Sequence, residues 1–304
     1  MIRPVALFKA LGDETRIRIL NLLLRHELNV NELVHILEMG QSRISRHLKI
    51  LSDCGLVSSR RDGLWVFYAA ETEGREAAFL VTVQDILEEE PHRGRDAGRS
   101  EGLQKENREA VTHFFDEIAP EWDSMQKEVF GSFDPGRFIM EQVPKCRVAA
   151  DLGCGTGSLF PGLLEKAARV IGVDSSGNMI ETARKNFSDT MDRIDFRLGE
   201  MAHLPLKDNE ADCAVINMVL HHLPSIEQSL AETFRILSDG GTIVIMDFRK
   251  HHEESFRNRF QDRRLGFDLE ELRSSLEKTG FTISGEKTRG IKPDLDIVLL
   301  TARK

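Results

Sequence analysis

Two short segments carry residue types and spacings that can do chemistry. In Asp151-Leu152-Gly153-Cys154-Gly155-Thr156-Gly157, three glycines stand at alternate positions after an apolar run, and Asp174 follows 21 positions after Gly153. Glycines let the backbone turn sharply and approach a ligand with no Cβ in the way. A carboxylate at the end of the next strand can accept hydrogen bonds from both hydroxyls of a ribose. The segment therefore suits a nucleoside. The second segment runs from Gln41 to Leu51, where Ile44, Leu48 and Leu51 recur at helical spacing and turn Gln41, Ser42, Arg43, Ser45, Arg46 and Lys49 outward. Arginine can bond bidentately to guanine and glutamine to adenine, while serine and lysine suit phosphates. Arg60 and Arg61, placed at the tip of an expected hairpin, are further candidates for DNA contact.

A third set offers weaker chemistry. His221, His222, Asp247 and Arg249 fall near the ends of two later strands and are the candidates for a general base, although each side chain has an ordinary structural use as well. No catalytic residue is assigned. His251 and His252 are adjacent in an extended segment, where side chains diverge, so no metal is assigned.

The elements that must position these residues follow from periodicity. Residues 5–24 read as two helices interrupted at Gly12-Asp13-Glu14-Thr15, where Asp13 or Thr15 can cap the second. A third helix is expected from Val30 to Met39 and a fourth from Gln41 to Cys54, with Gly55 in the left-handed terminal position. Leu56–Ser59 and Leu64–Tyr68 form the hairpin around Asp62-Gly63. Residues 71–90 place Phe79, Val83, Ile86 and Leu87 on one helical face suited to a partner. The charged, glycine-containing stretch that follows reads as a linker over 91–107. From Arg147 onward strands and helices alternate: strands at 147–152, 170–174, 194–198, 212–217 and 242–247, helices near 159–168, 178–187, 226–237 and 269–279, and two closing strands at 281–287 and 296–302. Such alternation implies a parallel sheet with helices on both faces and an antiparallel edge.

Composition agrees with two domains in 304 residues. The chain carries a net charge of -9, which argues against a general polyanion binder. Residues 1–70, however, hold ten Lys and Arg against seven Asp and Glu, so only this part favours a phosphate backbone. Cys54, Cys146, Cys154 and Cys213 form no Cys-x-x-Cys pair, and neither a zinc module nor a disulfide framework is indicated. With no signal peptide and no apolar run of membrane-spanning length, a cytoplasmic protein with no membrane partner is expected.

Helix, helix, turn, helix and hairpin over ~70 residues is the order of the winged helix-turn-helix. Phe8-Lys9-Ala10-Leu11-Gly12-Asp13-Glu14-Thr15-Arg16, Ser45-Arg46-His47-Leu48-Lys49-Ile50-Leu51 and Cys54-Gly55-Leu56-Val57 resemble the ArsR/SmtB family of bacterial repressors, over residues 1–90. The resemblance implies a homodimer that reads an inverted-repeat DNA operator, with the first helix and the 71–90 helix at the dimer interface. Where many relatives carry a Cys-x-Cys metal pair, this chain has Asn29 and Asn31, and amides are poor ligands for soft metals. The family's usual serine at the start of the fourth helix is replaced by Gly40.

A dinucleotide fingerprint would require glycine at 158, where Ser158 stands. The observed spacing instead resembles motif I of class I methyltransferases that use S-adenosylmethionine (SAM). Asp174-Ser175-Ser176-Gly177-Asn178-Met179 resembles the segment that holds the ribose and packs on adenine, and Gly199-Glu200-Met201-Ala202-His203-Leu204-Pro205 the loop that reads the adenine edge. Asn217–Leu223 and Arg235–Gly241 resemble the elements around the fourth and fifth strands. The resemblance implies SAM, or its product S-adenosylhomocysteine (SAH), held by Asp151, Gly153, Gly155, Gly157, Asp174, Ser175, Met179, Glu200, Met201 and Asn217. Phe114–Asp123 resembles the lid segment of the ubiquinone/menaquinone-type methyltransferases. It reads equally well as a helix packed on the sheet edge. The three cysteines Cys146, Cys154 and Cys213 do not reproduce the arrangement that arsenite methyltransferases use.

The fold expected is α/β: a mostly α N-terminal winged helix-turn-helix (1–90) and a C-terminal Rossmann-like, doubly wound seven-stranded sheet (108–304). Functionally, the architecture resembles SAH-responsive ArsR-type regulators, implying a transcriptional repressor whose methyltransferase-like domain senses SAM or SAH. The alternatives are an active methyltransferase of a small acceptor that controls its own operon, and a domain that has lost its ligand and serves dimer contacts. The intact Asp174 and glycine loop disfavour the last.

Overall fold

The structure, a computed structural model, describes residues 4–304. It divides into two compact units, residues 4–109 and 110–304. The first contains α1 (Pro4–Leu11), α2 (Glu14–Leu23), β1 (Leu28–Asn29), α3 (Val30–Leu37), α4 (Gln41–Asp53), β2 (Val57–Asp62), β3 (Trp65–Ala70) and α5 (Gly74–Glu88). Asp13 caps α2 by accepting from the Arg16 amide. Asn29 and Glu32 form a reciprocal capping box at the start of α3. Gly40 precedes α4 without a side-chain cap, and Gly55 takes φ 65° beyond its end. Leu20, Leu33, Ile36, Ile44, Leu48 and Leu51 are fully buried at the centre of this unit, and each contributes ~1.5–3 kcal/mol relative to exposure. The wing is the three-stranded sheet β1-β3-β2.

Three expectations for this unit need correction. The hairpin turns at Gly63-Leu64, so Arg60 and Arg61 lie within β2 and not at the tip. On α5 the buried positions are Ala77, Leu80 and Leu87, whereas Ile86 is 68% exposed and turns outward with Val81. The stretch read as a linker is helical: α6 spans Arg93–Ile118. Its first half is held in the N-terminal unit by polar contacts, above all the buried pair of Arg18 with both carboxylate oxygens of Asp96 at 2.7 and 2.9 Å.

The second unit continues with α7 (Trp122–Phe130), α8 (Pro135–Met140), β4 (Cys146–Leu152), α9 (Phe160–Lys166), β5 (Ala167–Asp174), α10 (Gly177–Asn186), β6 (Ile194–Leu198), β7 (Ala211–Asn217), α11 (Ile226–Ile236), β8 (Leu237–Phe248), α12 (Ser255–Phe260), α13 (Leu269–Thr279), β9 (Thr282–Lys292) and β10 (Leu295–Arg303). The seven strands follow the order β6-β5-β4-β7-β8-β10-β9, all parallel except β10, which runs against both neighbours. Buried apolar residues lie on both faces of the sheet, in two clusters, as a covered parallel sheet requires. The strand order reverses between β4 and β7, and in such sheets ligands bind beyond the carboxyl ends of the strands at that point. No helix among the described residues is long and apolar enough to cross a membrane.

Candidate functional sites

The glycine loop leaves β4 at the reversal point. Gly153 has φ 80°, and a Cβ there would meet Val219 Cγ2 at 2.3 Å; Gly157 has φ 87° and lies against Phe160 and Phe187. Both positions therefore demand glycine, for conformation and for space. Asp174, at the end of β5, accepts from the Gly155 amide at 2.8 Å and from the Ser176 amide at 2.9 Å. Burial raises its pKa, opposed by those amide bonds. Asp151, at the end of β4, is buried and pushed up to about 8 by desolvation and by the nearby Asp174. Its Oδ2, and Oδ1 of Asn217 at the end of β7, are buried without a hydrogen-bond partner. These are the acceptors that a cationic, hydroxyl-bearing ligand would satisfy, and they fit SAM or SAH.

The structure thus brings Asp151, Gly153, Gly155, Gly157, Asp174, Ser175 and Asn217 to the ends of the adjacent strands β5, β4 and β7. Glu200 and Met201 follow β6 on the same edge, Glu200 exposed and Met201 buried. Met179 is 1% exposed, in the first turn of α10. The segment 110–123 contributes more than lid aromatics. Asp116 accepts from Ser176 Oγ at 2.5 Å and from the Asn178 amide at 3.1 Å, and Asp123 accepts from Thr156 Oγ1 at 2.6 Å. Phe115 packs edge-on against Trp122 at 5.3 Å, and the Trp122 indole nitrogen is 3.4 Å from where a Gly155 Cβ would stand. The sequence singled out these aromatics; the two aspartates that tie the segment to the loop carried no distinguishing signal.

Beside this edge lies a cluster of histidines and carboxylates. His221 Nδ1 bonds Asp247 Oδ1 at 2.7 Å, and both are buried. Burial opposes charge on His221, but Asp247 and Asp262 outweigh it and push its pKa up to about 9. Burial and the neighbouring His221 hold His222 low. Phe115 meets the His222 ring edge-on at 5.0 Å. Arg249 is exposed and paired with Asp296 at 3.5 Å. Asp262, 40 positions from His222, was not legible as a member.

In the N-terminal unit, α4 presents Gln41, Ser42, Arg43, Ser45, Arg46 and Lys49 to solvent while Ile44, Leu48 and Leu51 are buried. Arg61 is exposed as well. Arg60 is not available in the same way: its guanidinium bonds Glu27 at 2.9 and 3.0 Å and Asp62 at 2.6 Å, and it lies over the Phe67 ring. The three partners immobilise it in the wing. Asn29 is also committed, accepting from the Glu32 amide at 3.0 Å while its own amide donates to the Glu32 carboxylate at 2.8 Å.

Comparisons with known proteins agree with this division. Residues 13–59 match the bacterial regulatory protein family described as arsR, and residues 150–245 match a methyltransferase domain. The arsenic resistance transcriptional regulator ArsR1 of Pseudomonas putida is 45% identical over 74 residues, covering 24% of this chain and 58% of that protein. A 2-phytyl-1,4-naphtoquinone methyltransferase of Nostoc sp. is 30% identical over 158 residues, covering 48% of this chain and 68% of that protein. Among solved structures, a chain from the complex of a Haloferax volcanii methyltransferase with its Trm112 activator matches with TM-score 0.54 and 18% identity, covering 62% of this chain and 96% of that one, which shows the fold. The chain spans only 29% of the length of one further curated relative, a protein of a Streptomyces fradiae transposon, and 62% of another, a demethylmenaquinone methyltransferase of Lactiplantibacillus plantarum. The chain is thus a fusion of an N-terminal region that matches the arsR family of bacterial regulators with a C-terminal part that belongs to the methyltransferase-domain family.

Proposed function

We propose that this protein is a DNA-binding transcriptional repressor whose methyltransferase domain receives SAM or SAH as its signal. The observation that carries the reading is the pairing of Asn29 with Glu32. The position where the resemblance placed a metal-binding cysteine is here a buried helix cap, so the signal must enter elsewhere. The C-terminal unit offers a place for it, with Asp174 already oriented by two loop amides and with Asp151 and Asn217 holding unsatisfied acceptors. A ligand that binds one DNA-affinity state better than the other shifts the balance between them.

In this reading Asp174 holds the ribose hydroxyls, the 153–157 loop passes close to the ligand, and Asp151 faces its charged end. Ser175, Met179, Glu200, Met201 and Asn217 complete the site. Bound SAM would supply an activated methyl group; the residues described here bind and orient it. On the DNA side, Gln41, Ser42, Arg43, Ser45, Arg46 and Lys49 face the operator, with Arg61 at its margin. Val5 and Phe8 on α1 and Val81 and Ile86 on α5 are each 60–73% exposed, and as apolar groups they favour a homodimer through these helices. Such a dimer would read an inverted repeat. Its place of action would be the cytoplasm.

A second reading, an active methyltransferase of a small acceptor that also controls its own operon, is favoured by Phe115 and Trp122, which line the loop edge as a lid would. Calorimetry with SAH and SAM tests the shared premise: one site per chain is expected, and no heat with either ligand contradicts both readings. Transfer of label from SAM to a small molecule of a cell extract would favour the second over the first.

A further inference from the structure

We propose that His221, His222 and Asp262 form a binding site for one divalent transition-metal ion of the zinc class. Among the described residues, one ligand atom from each lies within 4.8 Å of the others. His221 Nε2 is 3.6 Å and His222 Nδ1 3.5 Å from Asp262 Oδ1. Such separations are too long for good hydrogen bonds. They are close to the ~3.3 Å edge that a tetrahedral ion imposes on ligands held at ~2.0–2.1 Å. The His222 Nδ1 atom is buried and has no hydrogen-bond partner, so its lone pair has no other use in the structure.

The surroundings have the form of a metal site. His221 gives its other ring nitrogen to Asp247 at 2.7 Å, the carboxylate–histidine arrangement that fixes the tautomer and orientation of a ligating imidazole. The His222 ring donates a hydrogen bond to the backbone of Gln261. Asp247 and Asp262 flank His221, so the pocket favours positive charge. The chain also adopts uncommon conformations to build it: Met218, before the histidine turn, and Gln261, before Asp262, have φ 57° and 59° without being glycine. The adjacent histidines converge because residues 220–222 form a single 3-10 turn that brings their rings to 4.0 Å. Two imidazoles and one carboxylate are borderline ligands that suit zinc, and three protein ligands leave a fourth position open. That position would lie near Phe115, under the lid aromatics.

This inference is independent of the SAM and SAH reading, since metal uptake and nucleoside binding are measured separately. The test is a titration of chelator-stripped full-length protein with Co²⁺, read by ligand-field absorption, followed by displacement with Zn²⁺. One tetrahedral Co²⁺ per chain is expected, weakened at least 10-fold in Asp262→Asn and in His222→Gln, and ~10–100-fold in Asp247→Asn. His92→Ala, which alters the more exposed grouping Glu14, Glu90 and His92, should change nothing. Circular dichroism checks the fold of each variant; if Asp262→Asn does not fold, His222→Gln decides. Absence of the tetrahedral spectrum, or a signal kept in His222→Gln and lost in His92→Ala, overturns the proposal.

Discussion

The outward face of α4 and the glycine loop after β4 are built on opposite principles. On α4 the polar side chains are exposed, and the helix is anchored from behind by Ile44, Leu48 and Leu51. At the loop three polar side chains are fixed by the protein itself: Asp174 is held by two amides, Thr156 by Asp123, Ser176 by Asp116. A surface that meets a hydrated polyanion draws its affinity from displaced counterions and tolerates free side chains. A pocket that selects a small molecule does better with its geometry set during folding. Substitutions on α4 should therefore act as increments, whereas those around the loop should act nearly all-or-none.

The largest effect is expected from Asp174→Ala, which removes two charge-assisted amide bonds as well as the proposed ribose acceptor. At ~1.5–3 kcal/mol for each bond to a charged group, SAH affinity should fall ~100-fold or more by calorimetry, with ligand-free operator binding unchanged. A loss of operator binding in the same variant would erase the contrast between the two regions. Arg46→Ala should weaken operator binding by ~1–3 kcal/mol if it reads a base, or reduce the salt dependence by about one counterion if it meets a phosphate. Gel shifts at several salt concentrations separate the two, and SAH affinity should not move. A smaller change is expected from Asn29→Ala, which breaks the capping box and should lower the stability of the N-terminal unit by ~1 kcal/mol in thermal unfolding. If the same change altered a metal response of operator binding, Asn29 would be a ligand after all.

A different kind of effect is a slope with pH. Asp151 titrates at about 8 in the folded chain, against ~3.9 when unfolded, so the folded state binds more protons between these values. Stability of the C-terminal unit should therefore decline as pH rises across this window and level off above it. Asp151→Asn should flatten the decline between pH 6 and 8, and a wild-type profile already flat there would mean that the carboxylate is ionised in the fold.

What could be read from the sequence was what local pattern dictates. The strand Ile194–Leu198 and the helix Leu269–Thr279 fall where alternation and helical spacing placed them. The glycine spacing chose between two nucleoside folds by one residue, Ser158. Helix α6 escaped because its inward side is polar: Asp96, Ser100 and Gln104 are buried where apolar residues would have announced a helix. Arg60 was misjudged because its partner Glu27 is 33 positions away and only the folded wing brings them together. The same reason hid Asp262 from His221 and His222. Elements are written in near neighbours, while pairings of charged groups arise from tertiary placement.

In the proposed function, ligand at the nucleoside site alters the affinity of the DNA-reading face. Operator affinity of the full-length protein should be measured with and without saturating SAH, and with SAM, under conditions in which calorimetry shows the ligand bound. A change of ~5–150-fold is expected, corresponding to a coupling of ~1–3 kcal/mol, and it should be abolished in Asp174→Ala. Operator affinity that stays the same while both ligands occupy the site would contradict it.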